Sequence, residues 1–217
     1  IESMDILRGP SASLYGNASG GMINMTTRGA PNEKFVFAPR QVFGQYGFFK
    51  SELFAGGRQK HFDYTLFGSH LQQRGWRAHS NVQNFFSQAK MNFKTSDHSD
   101  LMVVFRKFYS PESKDPGGLT RDQVRSNPQQ AAPRNLQFNA GEEVNQEQVA
   151  IRYRNRPAAN QELTATVHML HRDFQNRLPF TGGGQVQFDR WVGGLAIQFV
   201  HNHTLFNRPN RLLLGVD

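Results

Sequence analysis

The sequence predicts an all-β protein: part of a transmembrane antiparallel β-barrel, preceded by a smaller unit of a different kind. Three observations lead to this prediction. Apolar and polar residues alternate along most of the chain, which is typical of β-strands. Several alternating segments run for ten residues or more, whereas strands of soluble proteins have about five or six and tilted membrane strands need about 9 to 11. Short turns also alternate with long loops, as on the two rims of a membrane barrel.

The composition excludes several other classes of protein. The chain has 217 residues, 37% hydrophobic and 12% aromatic, so it can bury a core and is not disordered. It contains no cysteine, which excludes disulfide scaffolds, thiolate metal sites and cysteine nucleophiles. The mean hydropathy is −0.61, and the longest apolar runs, such as residues 101–105, are too short for a membrane helix. The net charge of +8 fits an anionic ligand, acidic lipid or nucleic acid.

The first 38 residues differ from the rest of the chain. Residues 1–28 are rich in glycine, serine and alanine, and residues 29–39 have the composition of a linker. We therefore place a domain boundary near Phe35, which separates a first unit (residues 1–34) from a second (residues 35–217). The sequence starts within an apolar strand pattern, so we expect a fragment of a longer protein.

The second unit is predicted to contain nine strands. They lie near residues 41–46, 49–56, 61–73, 82–93, 100–109, 145–155, 162–178, 185–205 and from 211 onward. In the clearest of them, Val149, Ile151 and Tyr153 share one face while Arg152 and Arg154 lie on the other. The same two-faced pattern recurs in the third, fourth and seventh of these strands. The sheet should therefore have one apolar face and one polar, cationic face.

The connections between the strands fall into two kinds. Turn-forming residues cluster at 56–60, 95–99 and 207–210, whereas a long loop is predicted over about 110–144. Within that loop Thr120 is a helix N-cap, and the helix should end before Pro128. If the first barrel strand rises from the periplasm, the short turns are periplasmic and the long loops extracellular.

A specific motif occupies the N-terminal unit. Residues 1–17 read IESMDILRGPSASLYGN, and residues 20–28 read GGMINMTTR. This pattern closely resembles the end of the plug domain of TonB-dependent outer-membrane receptors. The closing residues 212–217, LLLGVD, resemble a recurring barrel strand of the siderophore-receptor branch of that family. The paired glycines and the Arg8–Pro10 corner suit the tight turns of a plug confined within a barrel.

The resemblance implies both the architecture and the function. The barrels of this family have 22 strands, so about nine are present here, together with the C-terminal part of the plug (residues 1–34). The implied function is TonB-dependent active transport of a ferric siderophore across the bacterial outer membrane, which is not an enzymatic activity. No cofactor is expected, because the iron arrives already chelated. The implied partners are TonB, through an N-terminal segment that is missing here, the iron chelate, and outer-membrane lipid with lipopolysaccharide, but no nucleic acid.

The resemblance also implies roles for plug residues. Tyr15 and Asn17 lie at the bend near the top of the plug, where they would contact the ligand, with a tyrosine of the plug core as the alternative for Tyr15. Arg8 and Arg28 lie at plug strand ends, where they would pair with acidic residues on the barrel wall. Solvated arginines are the alternative for this pair.

Further candidates follow from the barrel pattern. Lys90, Arg152 and Arg154 are predicted to line the lumen, where they could attract an anionic chelate or simply hydrate the interior. Tyr109, at an extracellular strand end, is a candidate ligand contact or a member of the aromatic girdle.

Loop cations and histidines complete the candidates. Arg121 and Arg125 in the long loop could bind ligand or bridge lipopolysaccharide phosphates. The histidine pairs at 168/171 and 201/203 have no third ligand nearby in sequence, so no metal site is expected.

Two alternatives remain open at this point. The first has the same architecture but imports another cargo, such as haem, cobalamin or a glycan. The second is a soluble, basic β-protein that binds nucleic acid, which would place aromatic residues among the cations on one face. Here most aromatic residues lie opposite the cations, an arrangement that suits a wall between lipid and water.

Overall fold

Antiparallel β-structure dominates the computed structural model, which describes residues 2–9, 20–182 and 184–217. The first sheet has two strands, β1 (Ser3–Arg8) and β2 (Gly21–Thr26). They pair in antiparallel register, with residue 3 opposite residue 26 and residue 8 opposite residue 21. Gly21 has a φ of 123°, and a Cβ there would approach the carbonyl oxygen of Leu7 to 2.5 Å, so glycine is required for this pairing.

The second sheet contains nine strands in the described part of the chain, and each strand pairs with the next one in sequence. This up-and-down order confirms the predicted series of nine. The strands are β3 (Val36–Phe43), β4 (Phe49–Arg58), β5 (Phe62–Gln73), β6 (Val82–Lys94), β7 (Ser99–Lys114), β8 (Gly141–Ala158), β9 (Gln161–Arg177), β10 (Gln185–Leu205) and β11 (Arg208–Val216).

Several strand boundaries differ from the prediction. β3 begins at Val36, so the predicted linker over residues 29–39 is too long; Pro39 is tolerated because β3 is an edge strand of the described sheet. β11 begins at Arg208, which leaves only Phe206 and Asn207 for the turn. Both turn residues have positive φ, 49° and 60°, which is the backbone of a two-residue type I′ hairpin turn.

The long loop is shorter than predicted, because β7 and β8 extend beyond residues 110 and 144. A β-bulge between Ser110 and Ser113 accommodates Pro111 within β7. The loop then covers residues 115–140, which we call the long loop, and contains α1 (Arg121–Ser126) and α2 (Pro133–Gln137).

The predicted helix start at Thr120 is confirmed. The Thr120 Oγ1 accepts from the Gln123 backbone N–H at 3.3 Å, and Gln123 Oε1 accepts from the Thr120 N–H at 2.8 Å. This reciprocal pair is a capping box, which satisfies two donors that the helix end leaves free. The second helix, which starts at Pro133, was not predicted.

The connections lie at the two opposite ends of the strands of the second sheet. At one end, the short-turn end, are the turns at 59–61, 95–98, 159–160 and 206–207. At the other end, the long-loop end, are the connections at 44–48, 74–81 and 115–140, together with the one between β9 and β10. Among the described residues, no helix is both long and apolar enough to cross a membrane.

The strand register gives the second sheet two chemically different faces. The apolar face is defined by side chains that are 38% to 57% exposed: Leu66, Phe105, Ile151, Val167 and Leu195. The polar face is defined by Thr65, Lys90, Arg106, Arg152, Thr166 and Gln198. The predicted separation of apolar and cationic residues is therefore confirmed. A contiguous apolar surface of this extent is unusual for a protein surrounded by water.

Candidate functional site

The cations of the polar face form two groups, one towards the short-turn end of the strands and one towards the long-loop end. The short-turn group consists of Arg58, Lys90, Arg152 and Arg154, which line one cavity together with Asp63. The structure thus brings together the three residues that the sequence predicted to line a lumen. Their attraction for an anionic chelate stays a prediction.

Two carboxylates, Asp63 and Asp100, offset part of the positive charge of the short-turn group. Asp100 is 8% exposed, and its Oδ1 accepts from Arg154 Nη2 at 2.8 Å and Nε at 2.9 Å. On the neighbouring strands, Asn92 Nδ2 donates to Asp63 Oδ2 at 3.4 Å. A buried ion requires a partner of opposite charge, so the Arg154 charge serves the wall itself.

The linker, residues 27–35, is fixed to β4 by Arg58. Arg58 Nη1 donates to Asn32 Oδ1 at 2.6 Å, Nη2 donates to the Ala30 carbonyl at 3.2 Å, and the Arg58 backbone N–H donates to the Glu33 carbonyl at 2.8 Å. A Cβ on Gly57 would overlap the Lys34 carbonyl oxygen, so glycine is needed for this close approach. Sequence reasoning assigned Gly57 and Arg58 only to a turn.

The second group, which we call the long-loop arginines, consists of Arg106, Arg172 and Arg190. Arg172 on β9 lies directly opposite Arg190 on β10. Arg106 Nε donates to Gln88 Oε1 at 2.9 Å, and the Arg190 guanidinium lies 4.7 Å from the centre of the Phe188 ring. Sequence reasoning missed these three residues. Alternation could have placed each on the polar face, but only the register brings Arg172 and Arg190 together.

The long-loop arginines lie in a part of the polar face that has no carboxylate in the described chain. The polar-face positions beside them are 144, 146, 148 and 150 on β8, even-numbered positions 168–174 on β9 and even-numbered positions 188–194 on β10, and they hold Gln, His, Leu, Val, Ala, Gly, Phe and Arg only. The next position on this face of β8 is Glu142, which lies opposite Asn176. Asp173 and Asp189 are close in sequence but lie on the opposite face, where Asp189 contacts His171 Nε2 at 3.0 Å. This part of the polar face therefore carries net positive charge.

The long loop is tied to the neighbouring connection by Arg77. Its guanidinium donates to the Gly117 carbonyl at 2.7 Å, to the Pro116 carbonyl at 3.1 Å and to the Gln130 carbonyl at 3.1 Å. Because the guanidinium is planar and rigid, these three hydrogen bonds hold the long loop in one position relative to Arg77. Between these two loops lies an open groove, lined in part by Trp76, Arg77, His79, Gln130 and Leu136.

The loop candidates Arg121 and Arg125 both lie on the exposed helix α1. Arg125 Nη1 is 3.8 Å from Asp122 Oδ1, a loose contact one helical turn away. Both side chains are accessible to a ligand or to lipopolysaccharide phosphates, so the two alternatives stated for them both stay predictions.

Tyr109 lies on the apolar face. It is 42% exposed, and its ring centre is 6.0 Å from that of Phe85. This placement fits the aromatic girdle and turns Tyr109 away from the cations of the polar face.

Two of the four plug candidates, Arg8 and Arg28, lie within the described residues. Arg8 ends β1 opposite Gly21, and Arg28 follows β2; both side chains are exposed. Their pairing with a barrel wall stays a prediction. Tyr15 and Asn17 lie outside the described residues.

No family model matches the sequence, and the comparison with solved structures identifies the fold. The ferric citrate transporter FecA, in its unliganded form, superposes with a TM-score of 0.83 at 19% identity over 98% of this chain and 33% of that one. A mutant of the ferric enterobactin receptor PfeA of Pseudomonas aeruginosa gives 0.60 at 14% identity over 98% and 34%. The siderophore receptor PirA of Acinetobacter baumannii gives 0.58 at 16% identity over 99% and 34%.

The chain thus spans about a third of the length of these three structures. Its antiparallel sheets have the fold of a partial receptor β-barrel. The predicted fold class is confirmed. The similar structures are a transporter and receptors, not enzymes.

Proposed function

We propose that this chain is part of a TonB-dependent receptor that imports a ferric siderophore across the bacterial outer membrane. One observation carries the proposal: a two-faced, up-and-down sheet that shares its fold, over 98% of the chain, with a ferric citrate transporter. In this function the apolar face contacts lipid, and the polar face lines the passage. The motif of residues 1–28, which resembles the end of a plug domain, supports the same assignment.

The height of the apolar face supports a lipid contact. On β9 this face presents Leu163, Ala165, Val167 and Met169 and then changes to His171. At about 3.4 Å per residue, the stretch from Leu163 to His171 spans about 27 Å along the strand. With a strand tilt of about 40° this becomes about 21 Å, close to the roughly 25 Å apolar band of outer-membrane barrels.

The proposed transport uses no enzymatic step. The chelate binds on the extracellular side, and TonB transmits the energy of the inner-membrane proton gradient to the plug, which rearranges so that ligand passes. Strands β1 and β2 are the part of the plug present here, and the linker joins them to the wall. Iron is cargo, held by its chelator, and the outer rim contacts lipid and lipopolysaccharide.

The proposal is tested by iron uptake in living cells. The full-length receptor that contains this chain is expressed in an iron-starved bacterium without siderophore receptors of its own, with and without functional TonB. We expect radioactive iron supplied as at least one ferric siderophore to accumulate only when both the receptor and TonB are present. Uptake that does not depend on TonB, or uptake of haem, cobalamin or a glycan in place of every ferric siderophore, would contradict the proposal.

A further inference from the structure

We infer that the tip of the β10–β11 hairpin binds peptidoglycan, the carboxylate-bearing sugar polymer of the periplasm, through the Phe206 ring and the guanidinium groups of Arg208 and Arg211. The inference goes beyond transport and rests on the proposed function only because that function places the short turns in the periplasm. It assigns this hairpin to anchoring the receptor, not to passing its cargo.

Phe206 holds a backbone conformation that a bulky residue rarely adopts. Its φ is 49°, and the φ of Asn207 beside it is 60°. A two-residue type I′ turn favours asparagine followed by glycine, and a phenylalanine in the left-handed region costs conformational energy. The ring gains little packing energy in return, because the residue is 89% exposed. A strained aromatic residue that contributes so little to the fold points to a role outside it.

The hairpin extends further than its neighbour β9 at the short-turn end. The last residue of β10 that pairs with β9 is His201, whereas β10 continues to pair with β11 as far as Leu205. On the apolar face, Leu212 lies opposite His201 and marks the lower limit of that face. From this level to Phe206 the strand covers about 17 Å at about 3.4 Å per residue, which becomes about 13 Å at a strand tilt of about 40°. The headgroup layer on one side of a bilayer is only about 5 to 8 Å thick, so the tip passes beyond the lipid.

The tip carries positive charge without compensating carboxylates. Residues 199–216 contain two arginines and two histidines but no aspartate or glutamate. Arg208 and Arg211 are exposed, and neither takes part in an ion pair within the described part of the chain. The other three short turns, residues 59–61, 95–98 and 159–160, contain only Gln, Lys, His, Thr, Ser, Asp, Ala and Asn. Among the short turns described, an exposed phenyl ring beside unpaired guanidinium groups is therefore specific to this hairpin.

The chemistry of the tip selects a class of partner. An aromatic ring packs against the apolar C–H face of a sugar ring, and a guanidinium pairs with carboxylate oxygens. Peptidoglycan supplies both groups, because its sugars carry short peptides with free carboxylates. A protein partner fits less well, because a stable protein interface buries about 800 Å² on each side, and this tip offers one ring and two cations. A polymer that repeats the same small unit raises the concentration of that unit around the tip, so a small contact suffices.

The test measures how much of the purified full-length receptor, in detergent, sediments with purified peptidoglycan sacculi. Phe206→Asn should weaken binding about tenfold, because the ring supplies most of the contact. The urea midpoint of this variant should stay equal or rise, because asparagine suits the turn; a merely structural phenylalanine would not separate binding from stability in this way. Arg208→Gln and Arg211→Gln should each weaken binding about threefold. On sacculi whose carboxylates have been amidated, these two variants should bind as the wild type does.

Phe180→Asn and Lys60→Gln are the matched controls. Phe180 is 58% exposed but lies between β9 and β10 at the long-loop end, and Lys60 is a cation of another short turn. Both variants should bind sacculi within about twofold of the wild type, as is usual for substitutions on an uninvolved surface. Phe206→Trp keeps a ring at the tip and should also stay within about twofold.

Each outcome bears on the inference separately from the proposed function. Unchanged sedimentation of Phe206→Asn would overturn the inference, as would an equal loss in either control variant. A wild-type receptor that imports a ferric siderophore but does not sediment with sacculi would overturn the inference and leave the proposed function intact, whereas failure of TonB-dependent uptake would overturn the proposed function. Heat-modifiable mobility in gel electrophoresis checks that each variant is folded, and the arginine variants keep the test informative if Phe206→Asn does not fold.

Discussion

Replacing Arg154 by glutamine should destabilise the protein by about 2 kcal/mol, because the change leaves a buried carboxylate without its cation. Asp100 is 8% exposed and its Oδ2 already has no hydrogen-bond partner, so the loss of Arg154 would leave the carboxylate with neither oxygen paired among the described residues. Breaking a fully buried pair costs about 3 to 5 kcal/mol, whereas an exposed pair contributes about 0 to 1 kcal/mol. The Arg154 side chain is 29% exposed, which places the expected cost between these limits.

The assay is urea unfolding of the protein in lipid vesicles, arranged as a double-mutant cycle. Asp100→Asn removes the carboxylate charge, so the double variant should lose less stability than the sum of the two single variants, by about 1 to 2 kcal/mol. Arg156→Gln is the matched control. It breaks an exposed pair with Glu162, whose nitrogen and oxygen are 2.9 Å apart, and should cost less than about 1 kcal/mol.

Two results would refute this reasoning. If the losses of unfolding free energy in the two single variants add up to the loss in the double variant within about 0.5 kcal/mol, then Asp100 and Arg154 do not stabilise each other. If Arg154→Gln costs no more than Arg156→Gln, burial does not raise the energy of the unpaired carboxylate.

Three further predictions test the linker, the long loop and the apolar face. Gly57→Val should overlap the Lys34 carbonyl and displace the linker, seen as faster protease cleavage there. Arg77→Ala removes three donors to the loop carbonyls, so amide hydrogen exchange in the long loop should become faster while the strands stay protected. Val167→Lys should cost about 2 to 4 kcal/mol in vesicles because the proposed function places this apolar-face residue against lipid, whereas Thr166→Lys on the polar face should cost far less; equal costs would contradict the proposed lipid contact.

Local alternation predicted the two faces because it depends only on neighbouring residues. Tyr153 lies between Arg152 and Arg154 in sequence, and a pleated strand sends it to the opposite face wherever the strand pairs. Strand ends were harder to predict. Pro111 was interpreted as a loop residue, but a β-bulge lets β7 continue to Lys114. The sequence contains the proline but not the partner strand that tolerates it.

Contacts between residues that are far apart in sequence explain the other features that the sequence did not predict. Asp100 and Arg154 are 54 positions apart, and nothing local indicates that one compensates the other. Arg172 and Arg190 likewise meet only because β9 and β10 pair in one particular register; a shift of one residue would move one of them to the apolar face. The sequence could therefore predict which residues lie on the polar face, but not which of their charges are paired.

The balance of charge differs between the arginines at the two ends of the polar face. A cation that only supports the wall is expected beside a carboxylate, as Arg154 is beside Asp100, because each then lowers the energy of burying the other. An opposed pair such as Arg172 and Arg190 lowers the stability of the sheet in the absence of an anion. The polar face therefore differs along its strands: near the short turns Asp63 and Asp100 offset part of the cationic charge, whereas no carboxylate of the described residues lies directly beside the opposed Arg172 and Arg190.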